Sequence, residues 1–110
     1  MEITTKDINE IKVIQFQGHL DSNTSQEAEK SLNDLLEKQA KKILVNFEKL
    51  DYISSAGLRV LLATAKKLGT DQGEMRMCNM NDVVREVFEV SGFSTIFKVF
   101  PTDSEAMSGF

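Results

Sequence analysis

Tryptophan is absent, and histidine, cysteine, proline and tyrosine occur once each, as His19, Cys78, Pro101 and Tyr52. A lone cysteine cannot close an internal disulfide, so a packed core must hold the fold. One histidine, one cysteine and scattered carboxylates offer no metal-ligand cluster, and Gly-rich phosphate loops are missing. No apolar run reaches the roughly 18 residues of a membrane span. Met1-Glu2-Ile3 begins as a strand rather than as a signal peptide, so a cytoplasmic location without membrane contact is expected. Basic residues are outnumbered 13 to 17, the net charge is −4, and Lys and Arg form no cluster, which argues against direct nucleic-acid binding. His19, Asp21 and Ser55 supply the residue types of a hydrolase triad. His19 lies beside Asp21 in one loop, however, and no Gly-x-Ser-x-Gly surrounds Ser55, so no catalytic site is expected.

What is present is ordinary for a soluble globule: 41% hydrophobic and 27% charged residues in 110 positions, enough for one domain over residues 1–110. Ile3 to Lys6 and Ile11 to Gln17 read as strands of an antiparallel hairpin across the polar turn 7–10. In the second, Ile14 and Phe16 face one way and Ile11 and Val13 the other, which places that strand inside a sheet. Gly18 ends it. Thr24 and Glu27 then have capping-box spacing before a helix whose inner face carries Ala28, Leu32, Leu35, Leu36 and Gln39.

Ile43 to Phe47 has the length and branched residues of a buried parallel strand. After the turn 69–73, Glu74 to Cys78 reads as another strand, with Cys78 in the core. Asn79 or Asn81 caps the next helix, whose stripe is Met80, Val83, Val84, Val87 and Phe88, and Ser91-Gly92 stops it. Ile96 to Phe100 is a last strand ended by Pro101, and Thr102 with Glu105 caps a short final helix. Strands alternating with helices imply a mostly parallel α/β sheet of four to five strands, with an antiparallel N-terminal edge strand and about four helices.

The central stretch is Leu50-Asp51-Tyr52-Ile53-Ser54-Ser55-Ala56-Gly57-Leu58-Arg59, which opens a helix with an inward stripe of Leu58, Leu61, Leu62 and Ala65. Two hydroxyls therefore stand at a helix N-terminus, where unpaired amides and the helix dipole favour an added anion. Ala56 and Gly57 keep the first turn small and leave Ser55 approachable. Arg59 follows one turn later, within reach of a partner or a phosphate. A serine cap on a plain helix satisfies the same spacing, as does a solvated Arg59, and Asp21 could simply orient its own loop. In parallel sheets function gathers where strands end and helices begin, so Asp21 to Thr24 and Ser54 to Gly57 should share one rim.

Leu50 to Leu58 resembles the phosphorylation loop of the anti-sigma factor antagonists, single-domain members of the STAS family. Gly18-His19-Leu20-Asp21-Ser22-Asn23-Thr24 is similar to that family's other signature. Two positions depart from the pattern: Ser54 stands where Asp is common, and Ser25 where Ala is usual. The resemblance implies the STAS fold and a protein that is a substrate and switch rather than an enzyme, with no cofactor or metal. It implies that the unphosphorylated form binds an anti-sigma factor serine kinase and so releases a sigma factor. Phosphorylation, aligned to Ser55 with Ser54 as the alternative, would block that binding, and a serine phosphatase would reverse it. The implied partner surface is Leu20, Asp21, Ser22, Asn23, Thr24, Ser54, Ser55, Ala56, Gly57 and Arg59, on a chain that is monomeric when free. The same switch could serve a secretion or signalling partner, and a small anion or nucleotide bound at the rim is the third reading.

Overall fold

A computed structural model describes residues 1–110. Its elements are β1 (Glu2–Ile8), β2 (Ile11–Leu20), α1 (Ser25–Glu37), β3 (Lys42–Asn46), β4 (Leu50–Ile53), α2 (Ser55–Thr70), β5 (Glu74–Cys78), α3 (Asp82–Val90), a 3₁₀ turn (Phe93–Thr95), β6 (Lys98–Phe100) and α4 (Asp103–Met107). The sheet order is β1-β2-β3-β5-β6, with β1 antiparallel to β2 and the other neighbours parallel. This is the expected mixed α/β architecture with one more strand, because β4 pairs parallel to the end of β2.

The hairpin is tighter than the polar stretch 7–10 suggests. Asn9 and Glu10 alone form the turn at φ 49° and 71°, the two left-handed residues of a type I′ connection whose twist matches the strands. Asp7 and Ile8 are thereby drawn into the ladder opposite Lys12 and Ile11. β2 likewise outlasts its expected end. Gly18, at φ 107°, bends the strand where the register shifts, and the strand then continues to Leu20 with β4 as its partner in place of β3.

The two sides of β2 feed separate cores. Ile14 and Phe16 join a 22-residue cluster under α1, α2 and α3, which includes Phe47, Leu61, Met77 and Phe88. Ile11 and Val13 join a smaller one of five residues with Leu44, Cys78 and Ala106 of α4. At about 25 cal/mol per Å² of apolar surface removed from water, the larger cluster supplies most of the driving force.

Several expected faces are corrected. Gln39 is exposed at φ 64° beyond the end of α1, and Ala40 is buried in its place. On α2 the buried set is Gly57, Leu58, Val60, Leu61, Thr64 and Leu68, while Leu62 and Ala65 are only half-buried. Thr64 reaches the core because its hydroxyl donates to the Val60 carbonyl one turn back, 2.9 Å away. On α3 the core side is Val84 and Phe88, and Val83 is 53% exposed. Ile96 is also exposed, and β6 begins only at Lys98, because the chain first passes through the 3₁₀ turn. Asn81, not Asn79, caps α3 by accepting from the Val84 amide at 2.8 Å.

Candidate functional site

The end of β2 and the start of α2 are joined through backbone. Leu20 pairs with Ile53, and the Ser54 amide donates to the Leu20 carbonyl at 2.9 Å. Gly57 seals the junction: a Cβ placed there would lie 2.8 Å from Leu20 Cγ, 2.9 Å from Ile53 Cγ1 and 2.9 Å from the Leu20 carbonyl oxygen. Only glycine lets the first turn of α2 sit this close to β2. The two expected loops therefore meet at one rim.

The Asp21 loop is ordered from within. Asp21 Oδ1 accepts from the Asn23 amide at 2.9 Å, an Asx turn, and the Asp21 carbonyl accepts from the Ser25 amide at 2.8 Å. Thr24 stands at the N-cap of α1 but does not form the expected capping box. Its hydroxyl turns back instead, accepting from the Asp21 amide at 3.0 Å and donating to the His19 carbonyl at 2.8 Å. Closing this loop is a use of the same oxygen that local spacing could not reveal. Ser22 and Asn23 are exposed at its tip.

At α2 the two serines separate. Ser54 is the N-cap, in extended conformation, with its carbonyl accepting from the Leu58 amide at 3.0 Å. Its side-chain oxygen is buried, makes no capping bond and has no hydrogen-bond partner. Ser55, the first helical residue, is exposed. A buried hydroxyl cannot meet a foreign active site without local opening, whereas an exposed one can. Ala56 is half-buried and Arg59 exposed, and both border a shallow groove of about 360 Å³ between α1 and α2, together with Ser25, Gln26 and Glu29. Leu20 and Gly57 are buried, so they shape the rim from beneath and offer no side chain to a visitor.

Two residues at this rim escape a motif reading. Tyr52 on β4 is 43% exposed, and His19 on β2 meets its ring edge-on with centroids 6.2 Å apart. No signal in the sequence marks them as neighbours, since their contact depends on β4 pairing with β2. Asn81 ties α3 to the same strand by donating from Nδ2 to the Leu50 carbonyl at 3.0 Å.

Away from the rim, Cys78, Arg76 and Glu74 are held by packing and pairing. Burial, reinforced by the negative charges of Asp103 and Glu48, pushes the Cys78 thiol up to about 12, which makes it a poor nucleophile. Arg76 is buried, donating to the carbonyls of Ala106, Ser108 and Gly109 at 2.9, 3.0 and 3.1 Å and lying over the rings of Phe100 and Phe110. The Arg76 hydrogen bond, helped by Lys98, holds the Glu74 carboxyl below its ordinary range. No group of three or more His, Cys, Asp or Glu side chains is placed to hold a metal ion, and no helix is long and apolar enough to cross a membrane.

The family model described as STAS domain matches residues 2–106. The candidate anti-sigma factor antagonist BtrV of Bordetella bronchiseptica is 38% identical over 110 residues, covering 100% of this chain and 95% of that protein. The anti-sigma-B factor antagonist of Staphylococcus aureus is 31% identical over 100 residues, covering 90% of each. Among solved structures, the Bacillus anti-sigma factor antagonist SpoIIAA superposes in its unphosphorylated form with a TM-score of 0.83 at 23% identity, covering 97% of this chain and 94% of that one. In its phosphorylated form the TM-score is 0.74 at 24% identity, with 97% of each chain covered. At these identities the structural likeness establishes the fold.

Proposed function

The chain belongs to the STAS domain family, and on that premise we propose that it is an anti-sigma factor antagonist switched by phosphorylation of Ser55. In this reading the unphosphorylated rim, with Asp21, Ser22 and Asn23 on one side and Ser55, Ala56 and Arg59 on the other, docks onto a cytoplasmic anti-sigma factor. Docking frees the sigma factor. That anti-sigma factor is a serine kinase and transfers phosphate to Ser55 Oγ; a separate phosphatase removes it. The antagonist itself performs no catalysis and needs no cofactor.

One observation carries the choice of residue: at the head of α2, Ser55 is exposed while the Ser54 side-chain oxygen is enclosed. Phosphorylation adds about −1.5 to −2 charges and three acceptor oxygens at the middle of the docking rim. In the free protein the α2 N-terminus favours that charge by about 0.3 to 2 kcal/mol, so no refolding is required. In the complex an enclosed phosphate without a cation costs several kcal/mol through desolvation and repulsion. Each 1.4 kcal/mol is about tenfold in affinity, so a block of about a hundredfold or more follows from a local change.

The test is phosphate transfer followed by mass spectrometry, with Ser54→Ala and Ser55→Ala variants. Loss of incorporation in Ser55→Ala alone supports the reading, and continued incorporation there overturns it. Binding supplies a second arm: Ser55→Asp should lose affinity for the kinase partner, and equal binding by the Asp and Ala variants would refute the switch.

A further inference from the structure

β1 ends the sheet, with β2 as its sole strand neighbour. It is seven residues long, its register with β2 runs without a shift from Glu2 to Ile8, and it contains no proline. It therefore lacks the bulge, brevity and proline with which exposed edges are usually blunted.

The hairpin turn fixes which backbone groups of β1 are free. The residues flanking a two-residue turn form a hydrogen-bonded pair, and bonded and non-bonded pairs alternate along an antiparallel ladder. Ile8, paired with Ile11, sets the parity, so Lys6, Thr4 and Glu2 also direct their amides and carbonyls at β2. Ile3, Thr5 and Asp7 direct theirs outward. A second strand can dock on this edge only where odd-numbered residues of one chain face odd-numbered residues of the other.

We propose that β1 pairs antiparallel with β1 of a second copy of this chain, about a two-fold axis at Thr4. In that register Ile3 and Thr5 exchange backbone hydrogen bonds, and Glu2 of each copy lies opposite Lys6 of the other. Neighbouring registers lose this match. An axis at Thr5 sets Lys6 against Thr4 and Asp7 against Ile3, and an axis at Ile3 sets Glu2 against Thr4. Charge thus selects one register among those the backbone permits. The symmetry counts each Glu–Lys pair twice, and both fall at non-hydrogen-bonded positions, where side chains approach most closely. The pairing uses a single strand edge and no apolar core, so it forms at high protein concentration and the chain is monomeric when dilute. It leaves α2 and Ser55 outside the contact, so the paired form carries two acceptor serines.

A cysteine scan tests the register. Opposed Cα atoms at a non-hydrogen-bonded pair lie about 4.5 Å apart, within disulfide range, so Thr4→Cys should oxidise to a covalent dimer. Ile3→Cys and Thr5→Cys, each displaced from its own symmetry mate, should cross-link at least tenfold more slowly. Cys78 is buried and does not interfere. Sedimentation equilibrium tests the charges: Glu2→Lys or Lys6→Glu should weaken association tenfold or more, and the double exchange should restore it. Equal cross-linking of all three cysteine variants, a wild-type chain monomeric at millimolar concentration, or a double variant no better than the singles would each overturn the proposal.

Discussion

Gly57→Ala and Gly69→Ala are the same chemical change on the same helix, and the structure assigns them opposite signs. Both glycines lie within α2, and neither has a positive φ. A methyl at Gly69 meets nothing within 4 Å, so alanine gains helix propensity there and should stabilise by about 0.5 to 1 kcal/mol. A methyl at Gly57 meets three atoms closer than 3.0 Å, one of them the Leu20 carbonyl oxygen. That oxygen already accepts from the Ser54 amide, so it cannot retreat without breaking the bond that joins the two halves of the rim. Overpacking of this kind costs about 1 to 3 kcal/mol, against a propensity gain of at most about 1, which leaves Gly57→Ala destabilised by up to about 2 kcal/mol. Because the propensity gain is common to both sites, the two variants should differ by the overpacking cost, about 1 to 3 kcal/mol, in urea denaturation, with unchanged m-values. Near 100 residues this is a gap of about 4 °C or more in Tm. Two variants of equal stability, or Gly57→Ala the more stable, would refute the close approach of α2 to β2. In heteronuclear spectra the Gly57→Ala shifts should centre on Leu20, Asp21 and Ser54, and those of Gly69→Ala should stay at the far end of α2.

Replacing Arg76 by Met leaves the carbonyls of Ala106, Ser108 and Gly109 without their donor and should cost about 3 kcal/mol or more, measured by chemical denaturation. Glu74 titrates below its ordinary value because it is paired, so its contribution is present above the ordinary carboxylate range and lost as pH falls through the lowered value. Glu74→Gln should flatten that acid limb in a stability-against-pH series while leaving the limb near pH 9 unchanged. Cys78 has the opposite linkage: its thiol is raised to about 12, so stability is full below its ordinary value and falls as pH rises toward 12. Alkylation of native protein at pH 8 should accordingly proceed at the rate of opening rather than of free thiol, and Cys78→Ala should remove the alkaline loss. Thr24→Val keeps the shape but removes both the bond to the Asp21 amide and that to the His19 carbonyl, and should mobilise residues 21–24 in amide exchange while α1 stays intact.

The central strands were legible because they are buried on both sides. Ile43-Leu44-Val45 and Met75-Arg76-Met77-Cys78 are apolar or β-branched enough for no other element to suit them, and the split of β2 into two faces follows from its alternation. The rim was legible as two motifs whose meeting point followed from parallel topology. What was not legible depends on contacts remote in sequence. β4 is too short for a period, with buried ends and an exposed middle, and exists because β2 extends past Gly18 to receive it. Thr24 offers the same hydroxyl to a capping box or to the loop behind it, and the position of His19 decides between them. Val83 fits a helical stripe, but α3 packs through Val84 and Phe88, with Val87 half-buried beside them. Arg76 is an oddity in an apolar strand until its acceptors, 30 or more positions onward, are in place.

The inequality of the two cores bears on how the molecule breathes. On one side three helices lie over a cluster of 22 buried residues; on the other, α4 adds Ala106 to a cluster of five and is tied to β5 by the Arg76 guanidinium. Fluctuations that free the last turns of the chain need not disturb the helices behind the sheet. Such a partial excursion would bare Leu44 and Cys78 while Ser55 and its rim stayed assembled, so the antagonist could keep its competence through an opening that a thiol reagent would record as damage.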